Sequence, residues 1–113
     1  LDRSSAASDV YKRQVSDDDV ESVRSLVAAI PLGQVSTYGD LAAAAGLSSP
    51  RIVGWIMRTD TADLPWHRVV PASGRPAPHL ARRQLDRLRT EGVPITDDRI
   101  RLRECRWDIP LPR

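Results

Sequence analysis

The chain has 113 residues and a mass of 12.6 kDa, enough for one modest core and short for two domains of ordinary size. Hydrophobic residues make up 41% and charged residues 28%, with no apolar run near the roughly 18–20 residues a membrane helix needs, so a soluble domain with no membrane partner is expected. A net charge of +2 gives little bulk attraction for nucleic acid, and the single cysteine, Cys105, excludes an internal disulfide and fits a reducing cytoplasm.

The segment 1–14 has no amphipathic period and no apolar core of a secretory signal, and it holds the only lysine, Lys12. It is read as a non-native or disordered segment, leaving 15–113 as the folded domain. Ser16 followed by Asp17, Asp18 and Asp19 marks a helix entry, a capping hydroxyl and then acids at the positive end of the dipole. Val20, Val23, Val27 and Ile30, with Leu26 beside them, form the buried stripe of that helix. Pro31 stops it, Gly33 marks a turn, and Val35 begins a brief extended segment. Leu41 to Ala45 is a short run of helix formers closed by Gly46. Leu47-Ser48-Ser49 is a turn, Pro50 a first-turn proline, and Arg51 to Met57 a second helix, which together spell a helix-turn-helix.

Thr59 to Leu64 is a polar connection, Arg68 to Pro71 a short strand, and 73–78 a loop. Leu80, Gln84, Leu85 and Leu88 line one face of a last helix ending at Gly92. Val93 to Ile95 and Ile100 to Leu102, parted by 96–99, read as a hairpin like a wing. The fold class is mainly α: a small helix-turn-helix, winged-helix-like domain with minor β-structure. Sixteen of the seventeen basic residues are arginine, nine of them from Arg75 to Arg106, and the planar fork suits phosphates and base edges as well as a solvated face.

Residues 64–71 read Leu-Pro-Trp-His-Arg-Val-Val-Pro, and Trp66 is the informative residue. The run resembles the Pro-Cys-His-Arg-Val signature of the O6-alkylguanine-DNA alkyltransferases, with tryptophan where the nucleophilic cysteine stands. Three further segments resemble that family in order: Ile30 to Ala42, Pro50 to Gly54, and Leu88 to Gly92. The resemblance extends from about Val20 to Pro110 and is that of the alkyltransferase-like proteins, which lack the cysteine. An indole has no thiolate to accept an alkyl group, so the resemblance implies no catalytic residue, with His67 and Glu91 left from a dismantled triad. It implies a non-enzymatic protein that binds double-stranded DNA containing O6-alkylguanine through a minor-groove helix-turn-helix, flips the lesion and flags it for nucleotide excision repair.

In that reading Tyr38 rotates the nucleotide outward and Arg51 fills the space it leaves, with Ser36, Thr37, Ala45, Gly46 and Ser48 also at the DNA. The pocket for the lesion would be formed by Trp66, Val69, Val70, Pro71, Tyr38, Met57, Arg75 and His79. Arg68, Trp55 and Trp107 are assigned to packing within the fold. No cofactor and no metal are implied. A monomer is expected, cytoplasmic and held at the nucleoid by its DNA, with nucleotide excision repair proteins as partners. The chain departs from the enzymes at Thr59-Asp60, where they carry Gly-Asn, and in the loop Gly74 to His79. Rival readings are an alkyltransferase using another nucleophile, a helix-turn-helix transcriptional regulator, though Arg51 to Arg58 offers few side chains for base edges, and a structural or protein-interaction role.

Overall fold

The computed structural model describes residues 15–110; the segment 1–14, read above as non-native or disordered, lies outside the described residues. Helix α1 spans Asp17–Ala29. Its entry is a capping box: Asp19 N–H donates to Ser16 Oγ and Ser16 N–H donates to the Asp19 carboxylate, each at 3.1 Å. Val23, Val27 and Ile30 are fully buried, and Val20 and Leu26 pack beside them. Gly33, at φ 85°, turns the chain into Val35 and then β1, Ser36–Thr37.

Helix α2, Tyr38–Ala45, starts three residues earlier than its apolar run, because Thr37 Oγ1 caps it by accepting from Asp40 N–H at 3.0 Å. Gly46 closes α2 at φ 72°, with Leu47 N–H reaching back to the Ala42 carbonyl at 2.8 Å. Ser49 then caps α3, Pro50–Thr59, whose first residue is a proline that has no N–H to lose. The helix-turn-helix is therefore α2, the turn 46–49 and α3, and each of its ends has a chemical cause. Leu41 and Ala42 from α2 meet Ile52, Val53 and Ile56 from α3 over the α1 stripe, forming the first core.

A 3₁₀ turn, Trp66–Arg68, leads into β2, Val69–Val70, which pairs in parallel with β1. Successive strand residues face opposite ways. Val69 joins the first core, and Val70 joins a second core with Val35, Leu85, Leu88, Val93, Ile100 and Cys105. Helix α4, Ala81–Thr90, supplies Leu85 and Leu88. The hairpin is β3, Ile95–Thr96, with β4, Arg99–Ile100, joined by Asp97 and Asp98 at φ 51° and 58°. Its second arm is shorter than the sequence reading: Leu102 opens a single helical turn, α5, Leu102–Cys105, instead of extending the strand. The chain then runs beside Val35, which donates to the Cys105 carbonyl and accepts from Trp107 N–H.

Buried Gln84 fastens α4 to the Trp66 turn by donating to the carbonyls of His67 at 3.0 Å and Val69 at 2.8 Å. These carbonyls face no water, so losing their donor costs the desolvation of both. Gln84→Leu keeps the volume and removes the donor. We expect it to lower unfolding stability by about 2–4 kcal/mol in urea titrations; a loss below about 0.5 kcal/mol would show that other groups satisfy these carbonyls.

Candidate nucleic-acid interface

Six of the side chains that the sequence singled out converge on one open cleft of about 730 Å³ between α3, the Trp66 turn and α4. Tyr38, Met57, Trp66, Val69 and His79 line it, as does Arg51. On α3 the lining residues fall at Pro50, Arg51, Gly54, Met57 and Arg58, one helical stripe, while Ile52, Val53 and Ile56 face the core. The amphipathic division of α3 thus turns Arg51 outward, and the residue is exposed. Gly54 and Arg58 were missed in the sequence, although their spacing of three and seven from Arg51 would have found them.

Tyr38 heads α2 and is half-buried at the cleft. Burial pushes its phenol above the ordinary value and the Arg58 charge pulls it partly back, so at neutral pH it is a neutral hydroxyl able to donate. Ala45, Gly46 and Ser48 sit at the helix-turn-helix corner, with Gly46 and Ser48 exposed. Ser36 and Thr37 are corrected: their side chains are buried at 0% and 2% exposure, one in the β1–β2 ladder and the other capping α2, so neither side chain can reach DNA.

Three residues assigned to the pocket from sequence also lie elsewhere. Val70 points into the second core because strand alternation sends it away from Val69. Arg75 is drawn off by the hairpin: Ile100 N–H donates to the Gly74 carbonyl at 2.8 Å and Arg99 Nε to that of Ser73 at 2.9 Å. Gly74 permits that docking, since at φ 78° a Cβ would lie 2.6 Å from the Ile100 carbonyl oxygen. Arg75 therefore borders a separate cavity with Arg99, Arg101 and Arg103. Pro71 is half-buried and does not line the cleft.

Trp66 forms a wall of the cleft and stands edge-on to His67, ring centres 6.1 Å apart. The turn that carries it is held by charge-assisted hydrogen bonds. His67 Nε2 lies 2.6 Å from Glu91 Oε2, and Arg68 donates to both Glu91 oxygens at 2.8 and 3.1 Å and to the Ile30 carbonyl at 2.8 Å. Burial alone would raise the Glu91 carboxyl, but the hydrogen bonds from Arg68 and then His67 outweigh it and hold the group below its ordinary value. Glu91 is thus an anion at neutral pH, and with Nε2–H directed at it, His67 keeps a buried Nδ1 without a protein partner. Arg68 packs within the fold, as expected.

Asp60, at the end of α3, and Asp63 beyond it are both engaged by Arg24 of α1, through the Asp60 carbonyl and the Asp63 carboxylate. Cys105 is buried in the second core, and burial followed by the neighbouring Glu104 raises its thiol, so it stays protonated. Among the described residues no helix is long and apolar enough to cross a membrane, and no group of three His, Cys, Asp or Glu could hold a metal ion.

A Cβ on Gly54 would meet nothing within 4 Å, so the protein's own packing does not require a glycine in mid-helix. Gly54→Ala should raise unfolding stability by about 0.5–1 kcal/mol. It should also weaken duplex binding severalfold, because the bare backbone beside Arg51 is lost. Thermal melts and fluorescence titration check the two signs; equal affinity for DNA would show that α3 does not approach the duplex through Gly54.

Comparison with known proteins agrees with this geometry. Residues 20–93 match the family described as 6-O-methylguanine DNA methyltransferase, DNA binding domain. The chain is 40% identical over 106 residues to the DNA base-flipping protein of Escherichia coli (strain K12), covering 86% of this chain and 80% of that one. It is 40% identical over 86 residues to alkyltransferase-like protein 1 of Schizosaccharomyces pombe, 70% of this chain and 80% of the relative. The crystal structure of S. pombe Atl1 in complex with damaged DNA containing O6-carboxymethylguanine superposes with a TM-score of 0.75 at 34% identity, over 84% of this chain and 99% of that one. The chain belongs to the family of the 6-O-methylguanine DNA methyltransferase DNA-binding domain.

Proposed function

We propose that this protein recognises alkylated DNA without repairing it. The observation that carries the reading is Trp66. By the resemblance of its motif it stands where a nucleophile would, on the wall of the cleft, and the His67–Glu91–Arg68 network behind it is complete. A base and its orienting carboxylate are present, and the atom they would activate is not. Cys105 offers no substitute, being buried and protonated on the far core.

In this reading α2 and α3 dock on the minor groove of double-stranded DNA, with Ala45, Gly46 and Ser48 at the corner close to the backbone. Tyr38 displaces a phosphate and turns the nucleotide out, and Arg51 enters the stack in its place. The O6-alkylguanine is held against Trp66, Met57, Val69 and His79. Extrusion costs a few kcal/mol, less where the lesion has already weakened its pair, and that difference supplies part of the selectivity. The protein acts as a monomer on DNA in the cytoplasm, and its complex marks the lesion for nucleotide excision repair. The likeness to a DNA base-flipping protein and to an alkyltransferase-like protein supports the flipping of a damaged base.

Titration of matched duplexes with and without one O6-methylguanine tests this. We expect the lesion duplex to bind at least about tenfold tighter, and Arg51→Ala to remove most of that preference with an unchanged melting temperature. Equal affinity for the two duplexes, with preference for some particular sequence, would favour a transcriptional regulator instead.

A further inference from the structure

Two guanidiniums lie on the indole of Trp66. Arg83 Cζ and Arg87 Cζ are each 5.5 Å from the ring centre, reaching it from successive turns of one face of α4. The π-face attracts a cation and so steadies both side chains, but it leaves their charge in place. Arg24, Arg68, Arg89, Arg101 and Arg106 all meet carboxylates, whereas among the described residues neither Arg83 nor Arg87 does. The cleft itself is lined by Arg51, Arg58 and Arg83, with His79, and by no Asp or Glu. It is a cationic pocket without an internal counter-charge.

The arginines enter it from different walls. Arg51 and Arg58 stand on α3, the face that meets the DNA backbone. Arg83 stands on α4 over the Trp66 ring, and in the lesion-binding reading the substituent on a captured base rests against that ring. Arg83 is exposed at the rim of the cleft, and a guanine with a simple alkyl group carries no charge to pair with it. A substituent ending in an anion would receive a charge-assisted, bidentate hydrogen bond there.

We propose that Arg83, seconded by Arg87 and ordered by stacking on Trp66, is a specificity-determining residue that favours O6 substituents ending in a carboxylate over neutral ones of the same shape. The inference rests on the lesion-binding reading above and adds to it the chemical class of adduct this cleft prefers. A DNA phosphate is the other anion that could satisfy Arg83, and the test separates the two sources.

Four duplexes of one sequence, carrying guanine, O6-methylguanine, O6-carboxymethylguanine or O6-carbamoylmethylguanine, are titrated with the full chain at two salt concentrations. The last two adducts match in shape and differ in charge. We expect the wild type to bind the carboxymethyl duplex about tenfold tighter than the carbamoylmethyl duplex, the scale of one charge-assisted hydrogen bond. Arg83→Gln should bring that ratio within about twofold of one, Arg87→Gln should reduce it less, and Arg83→Lys should retain part of it. Circular dichroism melts confirm that each variant is folded.

A wild-type ratio near one overturns the inference, as does an undiminished ratio in Arg83→Gln. So does an equal loss by Arg83→Gln on all four duplexes with a shallower salt dependence, which identifies a phosphate contact. If the wild type does not distinguish O6-methylguanine from guanine, the lesion reading fails and takes this inference with it. If that preference holds while the charge preference is missing, only the present inference fails.

Discussion

The Glu91 carboxylate is the point on which the rest of the site depends. It accepts from His67 and twice from Arg68, and Arg68 in turn holds the Ile30 carbonyl at the end of α1. One anion thereby joins the end of α4, the Trp66 turn and the first helix. Gln84, two turns earlier on α4, secures the same turn through its backbone. These are mostly buried polar contacts, costly to leave unmade and directional once made, so they fix the orientation of Trp66 where apolar packing alone would leave latitude. In a nucleophilic site such a clamp would serve to aim a proton acceptor. Here it aims an indole.

That difference decides between chemistry and binding. A repair reaction needs a thiolate within reach of the alkyl carbon, with a base to generate it. The chain holds a histidine–carboxylate pair beside Trp66, which by the resemblance of its motif stands where a nucleophile would, and seals its one thiol in the second core. A cleft walled by an indole, a methionine, a valine and arginines offers a purine and its substituent surfaces to pack against. In the proposed reading the cost of extruding the base is met by binding alone, and the lesion is still present when the complex comes apart.

Much of this was legible in the sequence, and the losses have identifiable causes. The capping box at Ser16, the α1 stripe, the Gly46 closure and the Pro50 start announce themselves because each is a local chemical rule acting over three or four residues. Resemblance supplied Tyr38, Arg51, Trp66, His67 and Glu91, which the structure gathers around one cleft and the turn behind it. The misplacements all came from long-range facts. Ser36 and Thr37 look like surface hydroxyls until β2, more than thirty residues on, pairs with them and buries them. Val70 differs from Val69 only in strand parity, and Arg75 is pulled from the cleft by a hairpin twenty-five residues away. Arg83 and Arg87 carry no assignment of their own in the sequence, since no pattern foretells that Trp66 lies beneath them.

The central claim is that the protein holds an O6-alkylated base and leaves the alkyl group where it is. Incubating the full chain in excess with a duplex whose O6-methyl group is radiolabelled, then separating protein from DNA under denaturing conditions, reads this directly. The account predicts that the duplex is retained by the native protein and that all of the label leaves with the DNA on denaturation. Stoichiometric label on the protein would contradict it, because it would show that some side chain other than a cysteine at position 66 accepts the methyl group.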